Sequence, residues 1–119
     1  MDVVNLAEKF EQFSDYWSPM ISGEMNGQYV KLVKLKGEFV WHKHEFEDEL
    51  FLVIKGYLRI KLRDQEVLIN PGEFFIVPKG VEHCPVADEE RHVVLVEPAA
   101  TLNTGNVRDE LTIEHLQWI

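Results

Sequence analysis

From Ser18-Pro19 onward the chain is a succession of short β-prone runs, each cut off within a handful of residues by a turn signal, and this rhythm directs it to an antiparallel all-β sandwich or barrel. Strands are expected at 20–25, 29–35, 39–44, 49–54, 57–62, 67–69, 74–77 and 91–96. Asn26-Gly27 is a two-residue hairpin signal, and Asn70-Pro71-Gly72 places Pro and Gly for a type II turn. Run 57–62 alternates cleanly: Leu58, Ile60 and Leu62 share one face, Arg59 and Lys61 the other. Run 49–54 is apolar after its first residue, so both of its faces need cover. About eight strands with a single helix point to a closed or nearly closed barrel.

The helix belongs to the first segment. Leu6, Phe10 and Phe13 recur at helical spacing, Asn5 stands at the N-cap, and Glu8 follows three residues later in the capping-box position. The 119 residues fit one domain, divided into a helix within 1–16, a barrel over 17–98 and a tail over 99–119. The tail ends in Trp118-Ile119, and an apolar end of this kind is expected to dock on its own barrel or on a second subunit.

Composition narrows the partners. Twelve Lys and Arg against twenty-one Asp and Glu give a formal net charge of −9, which repels phosphate backbones and anionic membrane surfaces. No nucleic-acid or membrane partner is expected. The single cysteine, Cys84, has no mate within the chain, and the N-terminal residues lack the basic and apolar regions of a signal peptide, so the expected location is the cytoplasm.

The stretch from Gly37 to Gly56 carries the chemistry. His42 and His44 stand two apart in a β context, which puts both imidazoles on one face with Cα atoms ~6.5–7 Å apart. Glu49 opens the next strand, and His83 lies 34 residues beyond it, after the Pro78-Lys79-Gly80 turn. Three imidazoles and a carboxylate form an N/O ligand set suited to one divalent ion of Mn, Fe, Co, Ni, Cu or Zn, with positions left open for a small molecule. Cys84 alternates with His83 and points away from such a site. His92 and His115 read as background, Glu45, Glu47 and Asp48 as a solvated acidic connection, and Trp17, Trp41 and Trp118 as packing residues. Tyr29, Glu73 and Glu97 have no position in the pocket that spacing can assign.

Gly37-x(4)-His42-x-His44-x(4)-Glu49-x(6)-Gly56 resembles the first motif of the cupins, and Gly72-x(5)-Pro78-x-Gly80-x(2)-His83 resembles the second. The resemblance covers roughly residues 37–87. It departs from the family pattern in two places: four residues rather than the common five separate Gly37 from the histidine pair, and Ala87 stands where an asparagine is often found. What it implies is a double-stranded β-helix (jelly-roll) barrel of the small conserved-barrel type, a metal held by His42, His44, Glu49 and His83, and frequent dimers. The 102–105 segment Leu-Asn-Thr-Gly resembles the tail of small cupins loosely described as mannose-6-phosphate isomerase-like, a likeness of fold rather than of activity.

With His42 and His44 facing inward, Glu49, Phe51 and Val53 share the inner face of their strand, and Leu50, Leu52 and Ile54 form an outer apolar row that a homodimer partner is expected to cover. The functional expectation is a metal-dependent enzyme on a small, oxygen-rich organic substrate, of dioxygenase, isomerase or decarboxylase type. The alternative is a non-catalytic module that binds or senses a small ligand.

Overall fold

A computed structural model describes residues 1–119 as one short helix and eight strands. In chain order these are α1 (Leu6–Phe10), β1 (Met20–Met25), β2 (Gln28–Glu38), β3 (Glu49–Lys55), β4 (Leu58–Leu62), β5 (Glu66–Ile69), β6 (Phe74–Val77), β7 (His83–Pro98) and β8 (Gln117–Trp118). The 16-residue β7 organises them. It runs antiparallel to β2 over most of its length, to β4 through its first residues (Leu62↔His83 to Arg59↔Val86), and to β3 through its later ones (Val53↔Val93 to Leu50↔Val96). A strand with three partners must pass from one layer of the fold to the other, and this crossing makes the jelly roll.

Hydrogen bonding follows the path β5-β4-β7-β2-β1-β8, with β3 branching from β7 and β6 pairing with β3. The path has ends, so the sheet stays open where the strand count suggested closure. Strand 39–44 is a second difference. Its residues make no ladder, only an isolated bridge between His42 and His83, in which each backbone N–H donates to the other's carbonyl at 3.0 and 2.9 Å.

Register decides what faces inward. Val33, Val93 and Val53 lie side by side across β2, β7 and β3, and Leu95 and Phe51 pair one step along. These join Leu35, Leu58, Ile60, Ile69, Val77 and Ala87 in the main core. Fully burying a side chain of this size contributes roughly 1.5–3 kcal/mol each. Ala87 thus packs as an apolar core residue, where an amide would need a partner.

The outer face has its own cover. Phe10, Leu32 and Val94 form a second cluster with Leu6, Phe13, Leu52, Ile54 and Ile119 against it. Asn5 Oδ1 accepts from Glu8 N–H at 3.1 Å, as its cap position requires. The helix lasts only five residues, because the chain soon turns to run beside β2, where Trp17 N–H donates to the Lys34 carbonyl at 2.9 Å. Phe13 reaches the same cluster from non-helical backbone. The tail docks on its own sheet: β8 pairs parallel with β1, and Ile119 N–H donates to the Ile21 carbonyl. Helix and tail therefore pack on Leu52 and Ile54 of the outer row, while Phe74 and Ile76 on β6 stay exposed. No helix is long and apolar enough to cross a membrane.

Candidate metal centre

The four residues come from three places in the chain. His42 and His44 lie on the irregular segment before β3, Glu49 is the first residue of β3, and His83 is the first of β7. The segment is held from both sides. Gly80 N–H donates to the His44 carbonyl at 2.7 Å, and Lys79 N–H donates to Asp48 Oδ1 at 2.8 Å. Across the other edge, Lys43 N–H donates to Asn106 Oδ1 at 2.9 Å while Asn106 N–H donates to the Lys43 carbonyl at 3.0 Å. This clip brings Gly105 against the site. A Cβ at Gly105 would stand 2.2 Å from the Lys43 carbonyl oxygen and 3.1 Å from the His42 ring, so only glycine allows the tail to close here.

All four side chains are buried, and one nitrogen or oxygen from each lies within 4.8 Å of the others. His42 Nδ1 sits 2.9 Å from the Val40 carbonyl, and His83 Nδ1 2.9 Å from that of Val81. A carbonyl only accepts, so both rings carry their proton on Nδ1 and turn a bare Nε2 lone pair to the centre. His83 Nε2 and His44 Nε2 each stand 3.3 Å from Glu49 Oε1. For His83 this is within hydrogen-bond range, with the ring donating to Glu49 when it carries a second proton and opposing it lone pair to lone pair when it is neutral. For His44 the oxygen lies off the ring's N–H axis, and neither ring nitrogen has a hydrogen-bond partner. A buried carboxylate ringed by imidazole nitrogens is stabilised by a cation placed among them, whether protons on the rings or a metal ion.

The residues therefore fit a metal. Two ligand atoms ~2.0–2.1 Å from one ion are separated by about 2.9–3.4 Å, as His44 Nε2 and His83 Nε2 are from Glu49 Oε1 at 3.3 Å, with all four atoms within 4.8 Å of one another. Protonation state agrees. Burial, and then the neighbouring charge of His83, lower the His42 pKa to about 4, so its imidazole is neutral at pH 7. Burial by itself would raise the Glu49 carboxyl, but the His44 and His83 rings outweigh it and hold Glu49 well below the usual range, as a carboxylate.

The remaining sequence expectations divide. Cys84 is buried on the far side of its strand from His83, with Sγ 3.7 Å from the Phe39 carbonyl, and burial raises its pKa to about 11. His92 is tied to Glu90 at 2.8 Å and stacks on Phe10, away from the site. Trp41 packs beneath the Arg63 guanidinium, and Trp118 meets Tyr29 edge-on. Trp17 does more than pack: it stacks on Phe39 and, with His42 and Glu49, lines a pocket.

Two functional candidates escaped the spacing argument. Glu97 stands beside Glu49 across the β3–β7 pair, and Lys31 Nζ donates to Glu97 Oε1 at 2.7 Å, both side chains about 1% exposed. Face parity could have found them, because Lys31 alternates with Val33 and Leu35, and Glu97 with Leu95 and Val93.

An open jelly roll with three histidines and a glutamate converging in its interior defines a class of metal-site β proteins. Residues 29–98 match the Cupin_2 family, the cupin domain, and the chain belongs to that family. A cupin-2 domain containing protein from Shewanella frigidimarina NCIMB 400 is 48% identical, with a TM-score of 0.80 over 81% of this chain and 94% of that one. Uncharacterized protein YdbB of Bacillus subtilis is 38% identical over 61 residues, 50% of this chain and 54% of its own length. Acireductone dioxygenase of Bacillus licheniformis is 31% identical over 77 residues, 60% of this chain and 43% of its own. The chain thus spans about half the length of these two curated relatives.

Proposed function

We propose that this cupin is a metal-dependent enzyme acting on a small organic molecule, with one divalent transition-metal ion held by His42, His44, Glu49 and His83. The observation that carries the reading is the gathering of three buried imidazoles around an ionised Glu49, with one nitrogen or oxygen from each residue within 4.8 Å of the others, an arrangement suited to a cation. When bound, such an ion polarises a substrate oxygen or activates dioxygen, the chemistry of isomerases, decarboxylases and dioxygenases. The chain's own groups supply the rest. Val40 and Val81 fix the tautomers of His42 and His83, Glu49 provides the negative charge, and the Glu97 carboxyl beside it is raised by burial and by that charge. The likeness to acireductone dioxygenase supports an oxygen-handling enzyme over a passive binding module.

Elemental analysis after separate loading with Mn, Fe, Co, Ni and Zn tests the first half, with an expected content of about one ion per chain, lost in His44→Ala. The loaded forms are then incubated with small keto acids, hydroxy acids and enediols, and substrate loss is followed by mass spectrometry. Turnover by at least one metal form, abolished in a folded His44→Ala, is expected. Ion uptake with no turnover in any form would favour the ligand-binding alternative, and no uptake would remove both readings.

A further inference from the structure

Resting on the metal reading above, we infer that the substrate presents a single oxygen-bearing end to the ion and fills the rest of the pocket with a compact apolar body, so that the site discriminates against polyhydroxylated molecules. The pocket beside His42 and Glu49 is small, with about 30 Å³ open to the centre of a water-sized body and about 380 Å³ of empty space only when its open mouth is counted. Leu35, Phe51 and Leu95 form its floor. Trp17 and Phe39, stacked with centroids 4.6 Å apart and planes 15° from parallel, form an aromatic wall.

The polar atoms on these walls are already engaged. Trp17 Nε1 donates to the Lys36 carbonyl at 2.9 Å. Asn103 donates from Nδ2 to the Leu111 carbonyl at 2.8 Å and accepts at Oδ1 from Ile113 N–H at 2.9 Å, so its amide holds the tail and has little left for a ligand. The other polar lining atoms belong to His42 and Glu49, and His42 Nδ1 is taken by Val40. Thr101 Oγ1, a buried hydroxyl without a partner, belongs to a separate cavity beneath the tail.

A ligand hydroxyl placed against this wall loses its water and gains no partner. The discrimination available from an apolar pocket against one added hydroxyl is up to about a hundredfold. The substrate is therefore oxygen-bearing at the metal and apolar beyond it, which narrows the oxygen-rich molecule suggested by the ligand set alone. Phe39 is the specificity-determining residue best placed to show this, because it forms the wall without ligating.

The test uses matched probes. Cobalt-loaded protein is titrated with butanoate and with 3,4-dihydroxybutanoate, and the visible cobalt bands report binding. Butanoate is expected to bind at least about tenfold more tightly. Phe39→Ser is expected to bring the two within about threefold at saturating cobalt, whatever change in cobalt affinity follows from removing the ring that packs 5.3 Å from the His42 imidazole. Equal or tighter binding of the dihydroxy acid, or no binding of butanoate, overturns the proposal. Failure to take up cobalt would count against the metal reading, so the pocket is also read in metal-free protein, where methyl NMR shifts of Leu35 and Leu95 report 1-butanol against 1,2,4-butanetriol. A preference for butanol there sustains the inference without any ion, and its absence refutes it.

Discussion

Two groups of polar side chains lie next to each other inside this sheet, and they are compensated in opposite ways. Lys31 and Glu97 bring a donor and an acceptor, with Nζ 2.7 Å from Oε1 in a setting closed to water. His42, His44, Glu49 and His83 bring lone pairs and one negative charge, with no cationic side chain of their own to balance them. Burial of polar groups is common to both and so identifies neither as functional. The difference lies in compensation: Lys31 and Glu97 pair with each other within the chain, whereas the second group has no cationic side chain to pair with.

The groups meet at Glu97. Burial, and then the charge of Glu49, raise its carboxyl well above the usual range, although Lys31 lies in ion-pair contact. Oε1 accepts from Lys31, while Oε2 is buried without a hydrogen-bond partner.

Breaking the compensated group should have the largest effect. Lys31→Met leaves Glu97 buried without its donor, and loss of one member of a buried pair costs about 3–5 kcal/mol. Urea denaturation is expected to show that loss. The double variant Lys31→Met/Glu97→Met should recover most of it, because well-packed apolar side chains replace a buried pair at little cost. A double variant as unstable as the single one would mean that Lys31 and Glu97 are not paired in solution.

Legibility from sequence follows the same division. The four converging residues were visible because His-x-His, a following glutamate and a distant histidine form a spacing that few structural demands produce. Lys31 and Glu97 were not, since a charge in a strand is ordinarily read as solvent-facing, whatever its parity with Val33 or Leu95. The first half of β7 was missed for a related reason. Asp88-Glu89-Glu90 resembles a solvated turn, yet Asp88 is held by Arg59 at 2.7 Å and Glu90 by His92 at 2.8 Å, so the strand continues through its acidic stretch. The expected strand 39–44 failed in the other direction, because one bridge to His83 and the clip to Asn106 replace a ladder there. Side-chain type had suggested regular pairing, but long-range backbone bonds at two points determine the geometry. The pocket wall was hidden as well: Trp17 and Phe39 are 22 residues apart in the chain and meet only through β2 and the tail-clipped segment.

Acid should weaken the uncompensated group next. The folded-state pKa of His42, about 4, lies below the 6.5 of an unfolded histidine, so the unfolded chain takes up the proton first as pH falls. The stability carried by the neutral imidazole is therefore present above about pH 6.5 and is lost between there and pH 4, with a slope of at most about 1.4 kcal/mol per pH unit. Chemical denaturation of metal-free protein at pH 7, 6 and 5 should show this decline. In His42→Leu the slope in this window should shrink, whereas in Lys31→Met/Glu97→Met it should persist.

The smallest effect is the most diagnostic. His44 is buried and both of its ring nitrogens lack a hydrogen-bond partner, so in metal-free protein its side chain contributes packing but carries an unsatisfied polar cost of about 1–3 kcal/mol. Leucine nearly matches it in size and has nothing to satisfy. His44→Leu is therefore expected to leave metal-free stability unchanged or to raise it by about 1 kcal/mol, an unusual outcome for a buried residue. Metal should reverse the order of the two proteins. An ion at a hundred times its dissociation constant stabilises the wild type by about 2.7 kcal/mol and should do little for the variant. Paired melting curves with and without the ion are expected to cross in this sense. A variant less stable than wild type even without metal would show that His44 is held by the protein itself, and the contrast between the two interior groups would then fail at the side chain on which it depends most.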